Sequence, residues 1–299
     1  MITPMQERRI RLETGVEVAA LEAVGGSRGL LCVHGWPAAK EDFADHLSEL
    51  ASAGGGWHAV ALDQRGHGRS DAPAGPDRYS LETFADDVLA LADALGWSSF
   101  VLLGHSMGGM VSQVVALRAP ERLDGLILMD TSHGPVGGID PDLVALGKSV
   151  VAEGGMAALI EAQRSVEGAL DTPAHQRVLA SRPGYAEFGE SKTLAASPDM
   201  WLGVVDEVVT DQADRLAALS ASTALTAVPT LLIYGEQDAP FVPHAHRLAE
   251  ALPHARLQLV PDAGHSPQFE NPTVYLRLVR GFLADVTAVG RRESGQTRS

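Results

Sequence analysis

A serine flanked by glycines, between a strand pattern and a helix pattern, constrains this chain most. The apolar run Phe100–Leu103 predicts a buried strand, Gly109–Arg118 predicts a helix, and the segment between them reads Gly104-His105-Ser106-Met107-Gly108. Glycines beside a serine relieve the clashes of a tight turn. Such a turn puts the serine at a helix N-terminus, where free N–H groups favour developing negative charge. In this setting the pattern predicts that Ser106 is a nucleophile rather than an idle turn residue.

Short apolar runs and helical patterns alternate on both sides of this turn. That rhythm predicts a parallel sheet with helices on both faces. From Thr131 to about Ala224 the strand signals cease, and helix-like pieces are separated by clusters of Gly and Pro. We therefore predict an α/β core from residues 1–131 and 223–288, a helical cap (lid) from residues 132–222, and a polar, disordered tail at 289–299.

Composition and charge narrow the expected partners. The 299 residues are 45% hydrophobic and 20% charged, with a formal net charge of −15, which is typical of a soluble globular protein. Without a stripe of Lys and Arg, neither nucleic acid nor an anionic membrane is an expected partner. No run approaches the ~20 apolar residues of a membrane span, and we recognise no signal peptide. With Cys32 as its one cysteine, the chain is expected in the cytoplasm, as a monomer or homodimer.

A serine hydroxyl needs a base, and the base needs a group that orients it. His265 follows the last predicted strand, so it should lie at the same sheet edge as Ser106. Asp238 follows the preceding strand and can accept a hydrogen bond from the imidazole. Glu236 is a nearby carboxylate, and Asp130, after another strand, is the reserve acid. The predicted triad is Ser106, Asp238 and His265.

Several segments together resemble the α/β-hydrolase superfamily, in its cap-bearing branch of esterases, lactonases, perhydrolase-type haloperoxidases, C–C hydrolases and lipases. The matching segments are His34-Gly35-Trp36-Pro37, Asp63-Gln64-Arg65-Gly66-His67-Gly68-Arg69-Ser70, Gly104-His105-Ser106-Met107-Gly108-Gly109, Tyr234-Gly235-Glu236-Gln237-Asp238 and Gly264-His265. This resemblance implies the α/β-hydrolase fold, with a mostly parallel eight-stranded sheet and a helical cap. In combination the segments are specific for the fold, whereas they do not select a substrate.

The resemblance also implies an oxyanion hole formed by the backbone N–H groups of Trp36 and Met107, each worth ~3 kcal/mol of transition-state stabilisation. His34 is expected to hold the loop, and residues 63–70 to support the turn at Ser106. No cofactor is implied. No metal site is expected, because no His-Glu-x-x-His motif occurs and His244 and His246 would not share a helix face.

The expected activity is that of a serine carboxylic ester hydrolase acting on a small or medium, mainly apolar ester or lactone. Ser106 stands where related dehalogenases and epoxide hydrolases carry Asp, and His105 stands where C–C hydrolases often carry Asn. A C–C hydrolase of ring-cleavage products, a perhydrolase or haloperoxidase, and a non-catalytic small-molecule receptor remain alternatives. Apolar cap residues are interpreted mostly as cap core and partly as pocket lining: Met156, Leu159, Ile160, Tyr185, Phe188, Met200 and Trp201.

Overall fold

An eight-stranded sheet lies at the centre of the computed structural model, which describes residues 3–137, 140–164, 171–252 and 254–296. The strands are β1 (Met5–Arg11), β2 (Glu17–Val24), β3 (Arg28–Val33), β4 (Trp57–Leu62), β5 (Phe100–His105), β6 (Leu123–Met129), β7 (Thr230–Gly235) and β8 (Ala255–Val260). Their order across the sheet is β1-β2-β4-β3-β5-β6-β7-β8. The first two strands are antiparallel to their neighbours, and β3 to β8 run parallel. This confirms the predicted, mostly parallel eight-stranded sheet.

Helices cover both faces of the sheet. They are α1 (Ala44–Ala51), α2 (Leu81–Ala94), α3 (Met107–Arg118), α4 (Pro141–Gln163), α5 (Pro173–Ser181), α6 (Tyr185–Leu194), α7 (Pro198–Val205), α8 (Leu216–Ala221), α9 (Val242–Ala251), α10 (Pro267–Glu270) and α11 (Pro272–Gln296). Alternate side chains of β3 point to opposite faces. Leu31 and Val33 join the core beneath α2, α3 and α9, whereas Leu30 and Cys32 pack on the α1 and α11 side. Burial on both faces explains the continuous apolar run of β3.

Local signals fix the ends of α2. The Ser80 hydroxyl accepts a hydrogen bond from the backbone N–H of Thr83, and the Thr83 hydroxyl accepts one from the backbone N–H of Ser80. Together these two bonds form a capping box. Gly96 follows the helix with a φ of 73°, in the left-handed region that favours glycine. Ser80 and Gly96 thus mark the two ends of this helix.

Between β6 and β7 the described residues form the helices α4 to α8, together with a π-helical turn at Asp206–Thr210, and contain no strand. Helix α4 contains one non-helical residue, Gly155, at φ 66° and ψ −163°. By length and composition alone this helix could cross a membrane. In the most apolar stretch of 18 residues within it, 22% is buried in the structure. Lys148 and Glu153 interrupt its apolar residues, so the expectation that the chain has no membrane span stays a prediction. The exact cap boundaries, 132 and 222, remain a prediction.

The C-terminal segment differs from the predicted disordered tail at 289–299. Helix α11 continues as far as Gln296, and residues 297–299 lie outside the described residues. Arg291, Arg292 and Glu293 are good helix formers, so the polar composition that suggested disorder is equally compatible with a continuation of the helix.

Candidate active site

Ser106 occupies the tight turn between β5 and α3. Its backbone has a φ of 53° and a ψ of −120°, which is a strained conformation for any residue with a side chain. The turn closes through backbone contacts: a Cβ at Gly104 would lie 2.2 Å from the Gly108 carbonyl oxygen, and one at Gly108 would lie 2.2 Å from the Val33 carbonyl oxygen. Both glycines are therefore required for the approach. The serine itself is half-buried and remains reachable.

His265 and Asp238 form the pair that the sequence predicts. The His265 Nδ1–H donates to Asp238 Oδ2 at 2.8 Å, with the aspartate fully buried and the histidine side chain 12% exposed. The Phe241 ring lies 4.6 Å from the imidazole, centroid to centroid. With Nδ1 holding the proton, Nε2 of His265 carries a lone pair and can act as a base.

His105 links the turn at Ser106 to the histidine loop. Its Nε2–H donates to the His265 carbonyl oxygen at 2.7 Å, and the two rings lie 5.1 Å apart. Burial, with a contribution from His265, lowers the pKa of His105 to about 3, so this ring is neutral near neutral pH. Because His105 directly precedes Ser106, this bond brings the serine turn and His265 together at one edge of the sheet.

Asp130, the reserve acid, lies against the same pair. Its Oδ1 accepts the Gly235 backbone N–H at 2.9 Å, and one ligating atom from each of Asp130, Asp238 and His265 lies within 4.8 Å of the other two. Of the two acids considered in the sequence, Asp238 is therefore the hydrogen-bond partner of His265, and Asp130 is not. Among the described residues this trio is the one group of three that could hold a metal ion. Two of its atoms, His265 Nδ1 and Asp238 Oδ2, are already joined by a hydrogen bond.

The expected donor loop lies beside the serine. A Cβ at Gly35 would lie 3.0 Å from the Ser106 Cβ and 3.5 Å from its Oγ, so only a glycine leaves this space open to a substrate oxygen. Within the part of the chain that the structure describes, the backbone N–H groups of Trp36 and Met107 have no acceptor. Both are therefore available to an oxyanion.

His34 holds this loop, as expected. Its Nδ1–H donates to the Gly35 carbonyl oxygen at 2.7 Å, and its Nε2 accepts the Gln64 backbone N–H at 3.1 Å. The Gln64 side-chain amide returns a bond of 2.9 Å to the His34 carbonyl oxygen. The rings of His34 and His67 pack edge to face at 4.8 Å. The loop that follows β4 thus supports the donor loop through side-chain contacts.

Glu270 supports the loop that carries His265, and it was not predicted from the sequence. Its Oε2 accepts the backbone N–H groups of Gly264 at 2.6 Å and Ser266 at 3.2 Å, which clamps the loop on both sides of His265. The side chain is 1% exposed. No sequence signal points to it, because the residue ends a helix of four residues that has no periodicity to read.

Two cavities lie between the cap and the loops of the core. The first, about 310 Å³, is almost wholly apolar and is bounded by Trp36, Val150, Leu159 and Trp201 among others. The second, about 620 Å³, is more polar and lies between α6 and the loop residues Pro37 and Ser266. The indole rings of Trp36 and Trp201 lie 5.2 Å apart, so the donor loop and cap helix α7 meet directly at the first cavity.

Comparison with known proteins places the chain in a family. A model of the alpha/beta hydrolase fold matches residues 30–272, which is most of the chain. The protein therefore belongs to the α/β-hydrolase fold family, and the resemblance inferred from the sequence is confirmed. The chain is 32% identical over 245 residues to the 2-hydroxymuconate semialdehyde hydrolase of Pseudomonas putida, an alignment that covers 77% of this chain and 78% of that protein.

Solved structures agree with this assignment. A thermophilic esterase from Thermogutta terrifontis is 25% identical, with a TM-score of 0.74 over 94% of this chain and 99% of its own. A protein described as an N-acyl homoserine lactone degrading enzyme is also 25% identical, with a TM-score of 0.74 over 92% of this chain and 100% of its own. The chain is thus a hydrolase of the α/β-hydrolase type.

Proposed function

We propose that the protein is a serine carboxylic ester hydrolase that cleaves a small or medium, mainly apolar ester or lactone through an acyl-enzyme on Ser106. The observation that carries this proposal is the bond of 2.8 Å from His265 Nδ1 to the buried Asp238. That bond lies at the sheet edge that also presents Ser106 on its strained turn. In this proposal Ser106 is the nucleophile, His265 is the base and Asp238 is the acid that orients the base, all in one site.

The proposed reaction has two halves. In the first, Ser106 Oγ attacks the carbonyl carbon while His265 Nε2 takes the hydroxyl proton. The oxyanion that forms accepts hydrogen bonds from the backbone N–H groups of Trp36 and Met107. The tetrahedral intermediate then expels the alcohol, which takes the proton from His265. In the second half, a water molecule gives a proton to His265 and attacks the carbonyl carbon of the acyl-enzyme. The bond to Ser106 Oγ then breaks, His265 returns the proton to Oγ, and the acid leaves.

The cavity bounded by the two tryptophans supports an apolar acyl or alcohol group. Its lining is aliphatic and aromatic with one amide, that of Gln163, and its volume of about 310 Å³ is at the lower end of cavities that hold small ligands. The esterase and the lactone-degrading enzyme among the structural neighbours support the same bond classes. A cytoplasmic location, and the absence of a cofactor and of nucleic-acid or membrane partners, remain part of the proposal.

The direct test is labelling with a fluorophosphonate, which reacts with activated serines. We expect the folded protein to be labelled at Ser106, and Ser106→Ala and His265→Ala to lose both labelling and ester turnover while their circular dichroism is unchanged. Turnover that persisted in either variant would move the nucleophile or the base elsewhere. A folded wild-type protein without any labelling would favour the non-catalytic receptor.

A second candidate is C–C bond hydrolysis of ring-cleavage products, which the similarity to the 2-hydroxymuconate semialdehyde hydrolase favours. A screen of p-nitrophenyl esters of graded chain length, lactones and ring-cleavage diketones separates the two. We expect the largest kcat/KM among esters or lactones. A diketone that exceeded them would assign the C–C reaction instead.

A further inference from the structure

Among the residues that the structure describes, two buried carboxyl oxygens at the acid side of the site have no hydrogen-bond partner. They are Oδ2 of Asp130 and Oδ1 of Asp238, and both residues are 0% exposed. The other oxygen of each carboxyl group is occupied, by the Gly235 N–H on Asp130 and by the His265 Nδ1–H on Asp238. Two acceptors left unsatisfied in the same buried site carry a large desolvation cost.

The charged groups around the pair do not relieve this cost. Besides Asp238 and His265, the groups that act on Asp130 are the carboxylate of Glu270 and the phenol of Tyr234. Glu270 adds a further negative charge, and the Tyr234 hydroxyl is committed to the Thr131 carbonyl oxygen at 2.7 Å. Within the described residues no Lys or Arg forms an ion pair or a hydrogen bond with either carboxyl group, so two ionised carboxylates would repel each other here.

We propose that Asp130 is a neutral carboxylic acid whose O–H donates to Asp238, so that one proton satisfies both unpartnered oxygens and Asp130 acts as a positioning residue for the acid of the triad. The role in catalysis rests on the proposed function, whereas the shared proton does not. No bond between heavy atoms changes; a single proton stays between two carboxyl groups that together carry one negative charge.

The two environments explain which carboxyl group keeps the proton. Asp238 accepts the imidazole N–H, and the positive charge of the imidazole in the reaction favours an anion beside it, whereas the group that donates to Asp130 is a neutral backbone N–H. Burial, and then the charge of Asp238, hold the pKa of Asp130 well above its usual value, which agrees with this assignment. Asp238 then accepts one hydrogen bond on each oxygen, which fixes the rotation of its carboxyl group and the orientation of His265.

The sheet register brings the two acids together. Strands β6 and β7 are parallel neighbours with Met129 opposite Ile233, and the Asp130 N–H donates to the Ile233 carbonyl oxygen at 3.0 Å. Asp130 then leaves the strand at a φ of 43°, a conformation that non-glycine residues adopt rarely. The juxtaposition is therefore built into the backbone and does not depend on a flexible side chain.

The shared proton is tested on the folded protein by carbon NMR with Asp carboxyl groups labelled. We expect one carboxyl resonance with the shift of a protonated acid at pH 7, present in wild type and in Ser106→Ala and absent in Asp130→Asn. If all Asp carboxyl groups have the shift of ionised carboxylates at pH 7, the proposal is overturned. This readout needs no substrate, so it holds whether or not the ester activity is found.

The positioning role is tested with Asp130→Asn and Asp130→Leu. Asparagine retains a donor toward Asp238 and an acceptor for Gly235, whereas leucine retains neither. Loss of a hydrogen bond to a charged group corresponds to about a tenfold to hundredfold change, so we expect kcat of the leucine variant to fall below that of the asparagine variant by this factor, at similar KM. The exposed Glu236→Gln is the matched control, with kcat unchanged. Equal kcat in the two Asp130 variants would remove the positioning role, and if the leucine variant does not fold, the NMR result decides.

Discussion

The chemistry at the residue scale depends on a few side chains at the carboxyl ends of parallel strands. The sequence predicted Ser106, Asp238 and His265 from their places after strands, and the structure brings the last two within 2.8 Å. The choice between Asp238 and Asp130 could be ranked but not decided, because only side-chain geometry shows which oxygen faces Nδ1. Glu270 was not predictable, since it acts through backbone groups that no sequence pattern marks.

The two acids should respond differently to the same substitution. We expect Asp238→Asn to lower kcat by roughly 10³ to 10⁴, because an amide that donates to Nδ1 forces the wrong imidazole tautomer. Asp130→Asn should cost far less, since its amide keeps both hydrogen bonds. Steady-state kinetics with one p-nitrophenyl ester checks this. The opposite order would make Asp130 the acid of the triad.

The strained backbone of Ser106 should show in stability. Glycine adopts a positive φ without steric cost, so Ser106→Gly should be more stable than Ser106→Ala, by about 1 kcal/mol of unfolding free energy once the entropy of glycine in the unfolded chain is counted. Both variants lack the hydroxyl of the proposed nucleophile, which makes alanine the matched control. Urea unfolding measures the difference, and a less stable glycine variant would mean that the turn carries no strain.

At the scale of elements, strands and helices of the core followed from the sequence, whereas the contacts of the cap did not. A continuous apolar run identifies a buried strand such as β3, but some contacts between cap and core are made by single polar side chains that lie far apart in the sequence. Lys192 on α6 forms a buried ion pair with Asp42 beside α1, and its ammonium lies 4.3 Å from the Phe188 ring. Such a long-range pair leaves no trace in either local sequence.

Breaking this ion pair from one side should destabilise the protein. Burial raises the pKa of Asp42 even with Lys192 beside it, so Lys192→Met leaves a buried carboxylate and should cost about 3–5 kcal/mol of unfolding free energy at pH 7. The cost should shrink as the pH falls, because protonation removes the uncompensated charge. Urea unfolding measures it. Adding Asp42→Asn should restore part of the loss, and equal losses in the single and double variants would argue against the pair.

The apolar cavity between α4 and α7 should set the acyl length. Val150 lines it and is half-buried, so Val150→Phe should lower kcat/KM for octanoate esters by about tenfold, in line with the energy of a few buried methylenes, and leave acetate esters little changed. Leu194→Phe is the control, because Leu194 is 55% exposed and lies outside that cavity. A parallel fall for both chain lengths would place the acyl group elsewhere.

For the whole molecule, the sheet, its helices and the family were predictable because periodicity and end-of-strand motifs repeat along the chain. The helical end of α11 was not, because local composition there is compatible with more than one environment. Burial also gives the molecule a set of neutral histidines. It lowers the pKa of His67 to about 4 and of His105 to about 3, and that of His34 well below its usual value.

These histidines should make the fold sensitive to acid. Their folded pKa values lie below the unfolded value of 6.5, so the unfolded chain binds protons that the folded chain cannot, and stability present above pH 6.5 is lost as the pH falls toward 3. We expect Tm to decline steadily below about pH 6.5. His67→Asn should flatten that decline, with the exposed His246 changed to Asn as the control. Equal slopes in both variants would assign the acid sensitivity to other groups.

The cap leaves the core after β6 and returns before β7, and these strands are neighbours in the sheet. The two connecting segments also meet, since the Arg215 N–H donates to the His133 carbonyl oxygen at 2.7 Å. An insertion whose ends lie side by side can change in length without moving the two strands that flank it, and its remaining demands on the core are side-chain contacts such as that of Lys192 with Asp42. We therefore expect that this segment can be exchanged for that of a relative, with the contacts to the core retained, while the proposed catalytic residues keep their places at the sheet edge.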